Sequence, residues 1–171
     1  MKSNRNIKTT FAVVITLLLT FTINAQRTEV KDYDQGFRLG FGINAGVPTN
    51  EDVYNYALGA DARLQYDLSK RTSLILTTGF TNLFISNDRP DLGIIPVKAG
   101  FKAFVWEDQF YVLGELGGAF AVTNGVNQHT YLYAPGIGYA SKYIDVSVRY
   151  EGYTEYDTNQ IALRLAYGFK L

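Results

Sequence analysis

The chain has 171 residues, with 16 Lys and Arg against 16 Asp and Glu, and no cysteine. That balance excludes the basic surface a nucleic-acid partner needs, and without thiols the fold stands free of disulfides and of an acylated cysteine anchor. The 13 Tyr and 11 Phe beside 16 Gly are the unusual feature, because aromatics suit half-buried strands while glycine permits close backbone approach.

Lys2, Arg5 and Lys8 precede an uncharged apolar run from Phe11 to Ile23 that stops at Asn24-Ala25-Gln26. The run is shorter than the roughly 20 residues of a spanning helix and ends on a small residue. Residues 1–25 therefore read as a cleavable signal peptide, cut after Ala25. Its loss removes those three basic side chains and leaves a net charge of about −3 on the exported chain. Residues 26–35 are polar and unpatterned, a short periplasmic lead-in.

From residue 36 the pattern has a period of two. Phe37, Leu39, Phe41, Ile43, Ala45 and Val47 alternate with Arg38, Gly40, Gly42, Asn44 and Gly46, which predicts a strand over 36–47 with one apolar face. Seven more follow, over about 54–68, 72–83, 94–104, 110–122, 130–140, 143–153 and 160–171. Pro96 and Pro135 each remove a ladder donor and mark irregular points in the fourth and sixth. Eight such strands and no helical pattern predict an all-β fold, an eight-stranded antiparallel up-and-down barrel occupying residues 36–171.

The charges decide which face meets lipid. No Lys, Arg, Asp or Glu falls on the apolar face of any predicted strand. A basic residue on a lipid-facing midplane position costs about 2–4 kcal/mol, so this exclusion is what a membrane selects. Aromatics sort by height in the same direction. Tyr66, Phe110, Tyr139, Tyr167 and Phe169 fall at the periplasmic end, while Tyr56, Phe80, Phe120, Tyr131 and Tyr150 fall at the other. Two girdles about a Val, Leu, Ile and Ala belt match the two bilayer interfaces. A soluble barrel with the apolar face inward is the competing arrangement.

The opposite face carries Arg38, Asp61, Arg63, Asp67, Lys98, Lys102, Glu115, Asp145, Arg149, Glu151, Arg164 and Lys170. The interior of an eight-stranded barrel is only wide enough for side chains to fill, so these groups are expected to pair as a structural network. Arg63, Lys98, Glu115, Arg149 and Arg164 are expected at mid-height, with Asp61 close by.

The segments from Ile94 to Phe104 (IIPVKAGFKAF), Leu132 to Tyr153 (LYAPGIGYASKYIDVSVRYEGY) and the terminal LAYGFKL resemble the small outer-membrane β-barrel proteins of Gram-negative bacteria, the "porin family" barrels. That resemblance implies an integral outer-membrane protein; the expected state is a monomer, in contact with outer-membrane lipid and lipopolysaccharide. It implies little about ligand. The last strand also resembles the signal read by the outer-membrane barrel assembly machinery. Phe169 and Leu171 fit that pattern, whereas Leu165 and Ala166 depart from it.

No catalytic, metal or cofactor constellation stands out. Small barrels that modify lipid A need a histidine beside a serine at the outer rim, and the single histidine, His129, has no rim serine facing it in the predicted register. Glu51, Asp52, Asp88, Asp91, Glu155 and Asp157 make the predicted outer loops acidic without the spacing of a calcium loop. The expected role is structural or one of surface interaction. The alternatives are a narrow pore for water or small ions and, further off, a lipid A-modifying enzyme.

Overall fold

The computed structural model describes residues 35–49, 54–85, 91–106, 108–123, 129–156 and 158–171. The expected signal peptide and most of the lead-in lie outside these residues, as do most residues of the long loops.

Eight strands follow in order: β1 (Phe37–Pro48), β2 (Tyr54–Asp67), β3 (Thr72–Ile85), β4 (Leu92–Trp106), β5 (Phe110–Ala121), β6 (His129–Ala140), β7 (Ile144–Tyr153) and β8 (Thr158–Lys170). Each pairs antiparallel with the next, and β8 pairs with β1 from Arg38↔Lys170 to Pro48↔Gln160. The sheet closes on itself and has no free edge. In hydrocarbon this matters, because each unpaired backbone N–H or C=O would cost several kcal/mol.

Strand extents follow the alternation closely, with departures of up to two residues, one of them at the turn end, where β4 runs to Trp106. β3 runs two residues past the expected Leu83, while β4 and β8 begin two residues before the expected Ile94 and Gln160. The additional residues pair in register, Leu83 with Leu92 and Tyr153 with Thr158, around a cluster of inward apolar side chains described below. The two prolines interrupt pairing as their missing N–H requires. The β3–β4 ladder breaks between Thr78↔Val97 and Thr81↔Ile94, beside Pro96, and the β6–β7 ladder breaks between Tyr133↔Gly152 and Gly136↔Arg149, beside Pro135.

Three tight turns sit at the end where β1 starts and β8 finishes. In the first, Leu68 N donates to Thr72 O at 2.9 Å and the Ser69 and Thr72 hydroxyls are 2.7 Å apart. In the second, Gln109 N donates to Trp106 O, and Asp108 takes a φ of 53°, the left-handed region that Asp tolerates better than most. A register shift between Phe104 and Trp106 leaves both Val105 and Trp106 exposed. In the third, Ser141 N donates to Ile144 O at 2.7 Å. Gln35 joins the first turn, its Nε2 donating to Leu68 O at 3.2 Å. This is the turn end; the strand ends at Pro48, Ile85, Ala121 and Tyr153 lie at the opposite, loop end.

Burial is inside out. Phe41, Ile43, Leu76, Leu116, Ile137, Leu163 and Leu165 are exposed, whereas every Asp, Glu, Lys and Arg of the eight strands stands at an inward position. Narrow closure demands glycine at particular points. A Cβ on Gly117 would strike the Val97 carbonyl oxygen and one on Gly79 the Ala60 carbonyl oxygen, so the backbones pass too closely for any side chain there.

Candidate functional site

The lumen is where the chain concentrates its chemistry, and it is layered. At the loop end an apolar cluster faces inward, beside buried Thr130 and Thr158: Leu83, Leu92, Ile94 and Leu132 pack with Tyr54, Tyr153 and Tyr156 into a plug. Tyr156, in the β7–β8 loop, folds back so that its ring stacks on Tyr153 with centroids 5.9 Å apart. The expected ion-pair network lies beneath this layer, which the sequence reading did not name. Its signal is present in the residues: Leu83, Leu92, Ile94 and Leu132 all carry the parity of inward positions, at the loop ends of three strands.

Below the plug, Glu151 accepts from Lys98 Nζ at 2.8 Å, Gln160 Nε2 at 2.6 Å and the Tyr153 hydroxyl at 3.0 Å. Tyr153 thus belongs to both layers, its ring in the plug and its hydroxyl on the first carboxylate beneath. Glu115 holds the centre. It accepts from Thr77 Oγ1 at 2.7 Å and from Arg63 Nη2 at 3.2 Å, with Lys98 and Arg149 at 3.8 and 3.5 Å. Arg149 turns its other nitrogen to Asn44 Oδ1 at 2.6 Å, and Asn44 Nδ2 donates to Asp61 at 2.9 Å.

Arg164, expected in the cluster around Glu115, is directed instead to Asp61 through Nε at 2.9 Å and Nη2 at 2.6 Å, and its Nη1 lies 3.5 Å from Asp145. Asp145 also receives Lys102 Nζ and the Tyr111 hydroxyl, each at 2.7 Å. The Lys102 ammonium sits 3.8 Å from the Tyr111 ring centroid, a cation–π contact inside the barrel. A last group, Asp67 with Arg38, Gln65 and Ser73, closes the turn end. There Arg38 is 40 % exposed, whereas Glu115 is fully buried.

The ten sequence-derived network residues, Arg38, Asp61, Arg63, Lys98, Lys102, Glu115, Asp145, Arg149, Glu151 and Arg164, all face the lumen, and each makes at least one ion pair. Sequence reasoning missed the neutral partners Asn44, Thr77, Tyr111 and Gln160, which satisfy the carboxylate lone pairs that the cations leave over. A cavity of about 10 Å³ bordered by Asn44, Lys98, Arg149, Glu151 and Gln160 remains, room for about one water molecule. Arg149 Nε and Gln160 Oε1, both beside it, have no protein partner among the described residues.

Other sequence-derived positions lie outside the lumen. His129 opens β6 on the outer surface with its ring 5.2 Å from that of Phe120, and no hydrogen bond joins it to a serine among the described residues. Phe169 lies on the outer face of β8 and Leu171 just past its end, both exposed. Asp91 is occupied within its own loop, accepting from Asn82 Nδ2 and Ile85 N. No group of carboxylates or histidines able to hold a metal occurs among the described residues.

No protein-family model and no curated protein matches the chain. Solved structures do. Ail, the attachment invasion locus protein of Yersinia pestis, solved with the heparin analogue sucrose octasulfate, superposes with a TM-score of 0.57 at 16 % identity, over 81 % of this chain and 100 % of that one. The N-terminal β-barrel domain of Pseudomonas aeruginosa OprF gives 0.54 at 10 % identity, over 80 % and 100 %. A de novo designed transmembrane β-barrel gives 0.54 at 16 % identity, over 81 % and 99 %. At such identities the likeness is one of fold. An apolar exterior, a charged interior and a closed eight-stranded sheet define a transmembrane β-barrel. Within that class, the chain has the fold of the small outer-membrane barrels.

Proposed function

We propose that the protein is a non-conducting outer-membrane barrel whose work is done at its loop end, a rigid scaffold that presents four loops to a partner at the cell surface. The observation that carries this reading is the double closure of the lumen, an apolar plug above a buried ion-pair network with space for about one water between their side chains. A conduction path for water or ions needs a continuous polar opening, and the plug supplies the opposite. In this orientation the turn end, with Gln35 and Leu171, faces the periplasm. Phe169 and Leu171 serve the assembly machinery before insertion, and the apolar belt then meets lipid and lipopolysaccharide.

The loops differ in charge from what a polyanion would require. By sequence they hold Glu51, Asp52, Asp88, Asp91, Glu155 and Asp157 against Arg89 alone, which favours a neutral or cationic partner over a sulfated sugar of the kind bound in the Ail structure. Planar-bilayer recording of the purified barrel tests the closed lumen. A quiet membrane after insertion is the expected result; discrete, salt-dependent openings would restore the narrow-pore reading.

A further inference from the structure

The two rims of the barrel differ in sign. Against the acidic loops, the turn end displays Lys70 and Arg71 between β2 and β3 and Lys142 between β6 and β7, all exposed. The opposing charges are Glu107 and Asp108 in the β4–β5 turn. Arg71 lies 3.2 Å from Asp108, but both side chains are more than half exposed, so solvent screens that pair. Lys70 and Lys142 form no ion pair among the described residues and stand four strands apart, on opposite sides of the barrel.

These cations sit immediately beyond a ring of aromatic contacts. Phe37 packs on Tyr66 at 4.8 Å, Phe110 on Tyr139 at 5.2 Å and Tyr143 on Tyr167 at 5.7 Å, and Trp106 adds an indole that is 69 % exposed. Amphipathic rings of this kind settle at headgroup depth. Lys142 reaches over the Tyr143 ring, 5.1 Å from its centroid, which holds its ammonium at that same level.

We propose that the turn-end rim is a docking surface for anionic phospholipid headgroups, whose phosphates are held by Lys70, Arg71 and Lys142. The occupant follows from charge complementarity and depth together. A cation beside a membrane surface attracts anionic lipid, and the attraction fades beyond a Debye length. The acidic loop rim repels the same groups, so the barrel carries an electrical polarity along its axis that matches one leaflet to its turn end.

The inference rests on the barrel lying in a membrane, which a gel mobility shift on boiling reports separately for every variant. The experiment reads lipid selectivity by electron spin resonance, with spin-labelled phosphatidylglycerol and phosphatidylcholine in vesicles holding the folded protein. The expected result is a preference for phosphatidylglycerol of about twofold or more at low salt, falling to parity at high salt. Lys70→Gln with Lys142→Gln reduces it, and further replacement of Arg71 by Gln abolishes it. Parity in the unaltered barrel at low salt, or an undiminished preference in the threefold variant, would overturn the proposal.

Discussion

Arg164 grips Asp61 through two nitrogens, Nε at 2.9 Å and Nη2 at 2.6 Å, and in doing so ties β8 to β2 across β1, the strand at which the barrel closes. Both side chains are almost fully buried, so neither can fall back on water if the other is lost. Asp61→Asn or Arg164→Met alone is expected to destabilise the barrel by about 3–5 kcal/mol, while Asp61→Leu with Arg164→Met recovers much of that loss. Urea unfolding in lipid vesicles, followed by gel mobility, measures all three.

Glu115 neutralises more cations than any other lumen carboxylate, lying within 4 Å of Arg63, Lys98 and Arg149. Its counterpart at the turn end, Asp67, pairs with an Arg38 that is partly in water. Glu115→Gln is therefore expected to lower stability by several kcal/mol and Asp67→Asn by about 1 kcal/mol. The ranking is checked in the same unfolding assay. Equal effects would mean that water reaches the centre of the lumen.

Gly114 and Gly117 lie three residues apart on β5 and answer opposite demands. A methyl group on Gly117 would meet the Val97 backbone oxygen, while one on Gly114 has open space within 4 Å. Gly117→Ala should reduce the folded yield sharply, overpacking of this kind costing about 1–3 kcal/mol or more. Gly114→Ala should fold as the parent does. Circular dichroism and boiling-dependent mobility of the two variants decide it.

On the proposed non-conducting reading, the plug and the ion network close the lumen at different heights, and neither alone is needed for closure. Leu132→Ala is expected to cost about 2–5 kcal/mol as a cavity in a packed apolar layer, with no conductance gained. Openings would require the layer beneath to be relaxed as well, for example by Leu132→Ala combined with Glu151→Gln, which leaves Lys98 without its 2.8 Å partner.

These cases also show what the residues disclose in advance. The period of two names the inward and outward side chains of all eight strands, because a one-residue slip would carry every charge into lipid. Parity does not say which inward residues share a height, since that depends on the stagger between strands. Arg164 thus reads as a companion of Glu115 until the register sets it beside Asp61. The plug was hidden for a related reason: Leu83, Leu92, Ile94 and Leu132 are scattered in sequence and converge only when the strand ends are aligned. Loop function is less legible still, because charge alone, without a motif, names no ligand.

The most direct test of the inside-out assignment places a tryptophan at Leu116, which is 70 % exposed midway along β5, in a background where the single native tryptophan is replaced by Trp106→Phe. In vesicles containing brominated lipids, strong quenching by bromines near the bilayer centre and little by acrylamide in the aqueous phase is the expected result. Efficient acrylamide quenching with no response to brominated chains would contradict it, and would place the apolar face of these strands somewhere other than in lipid.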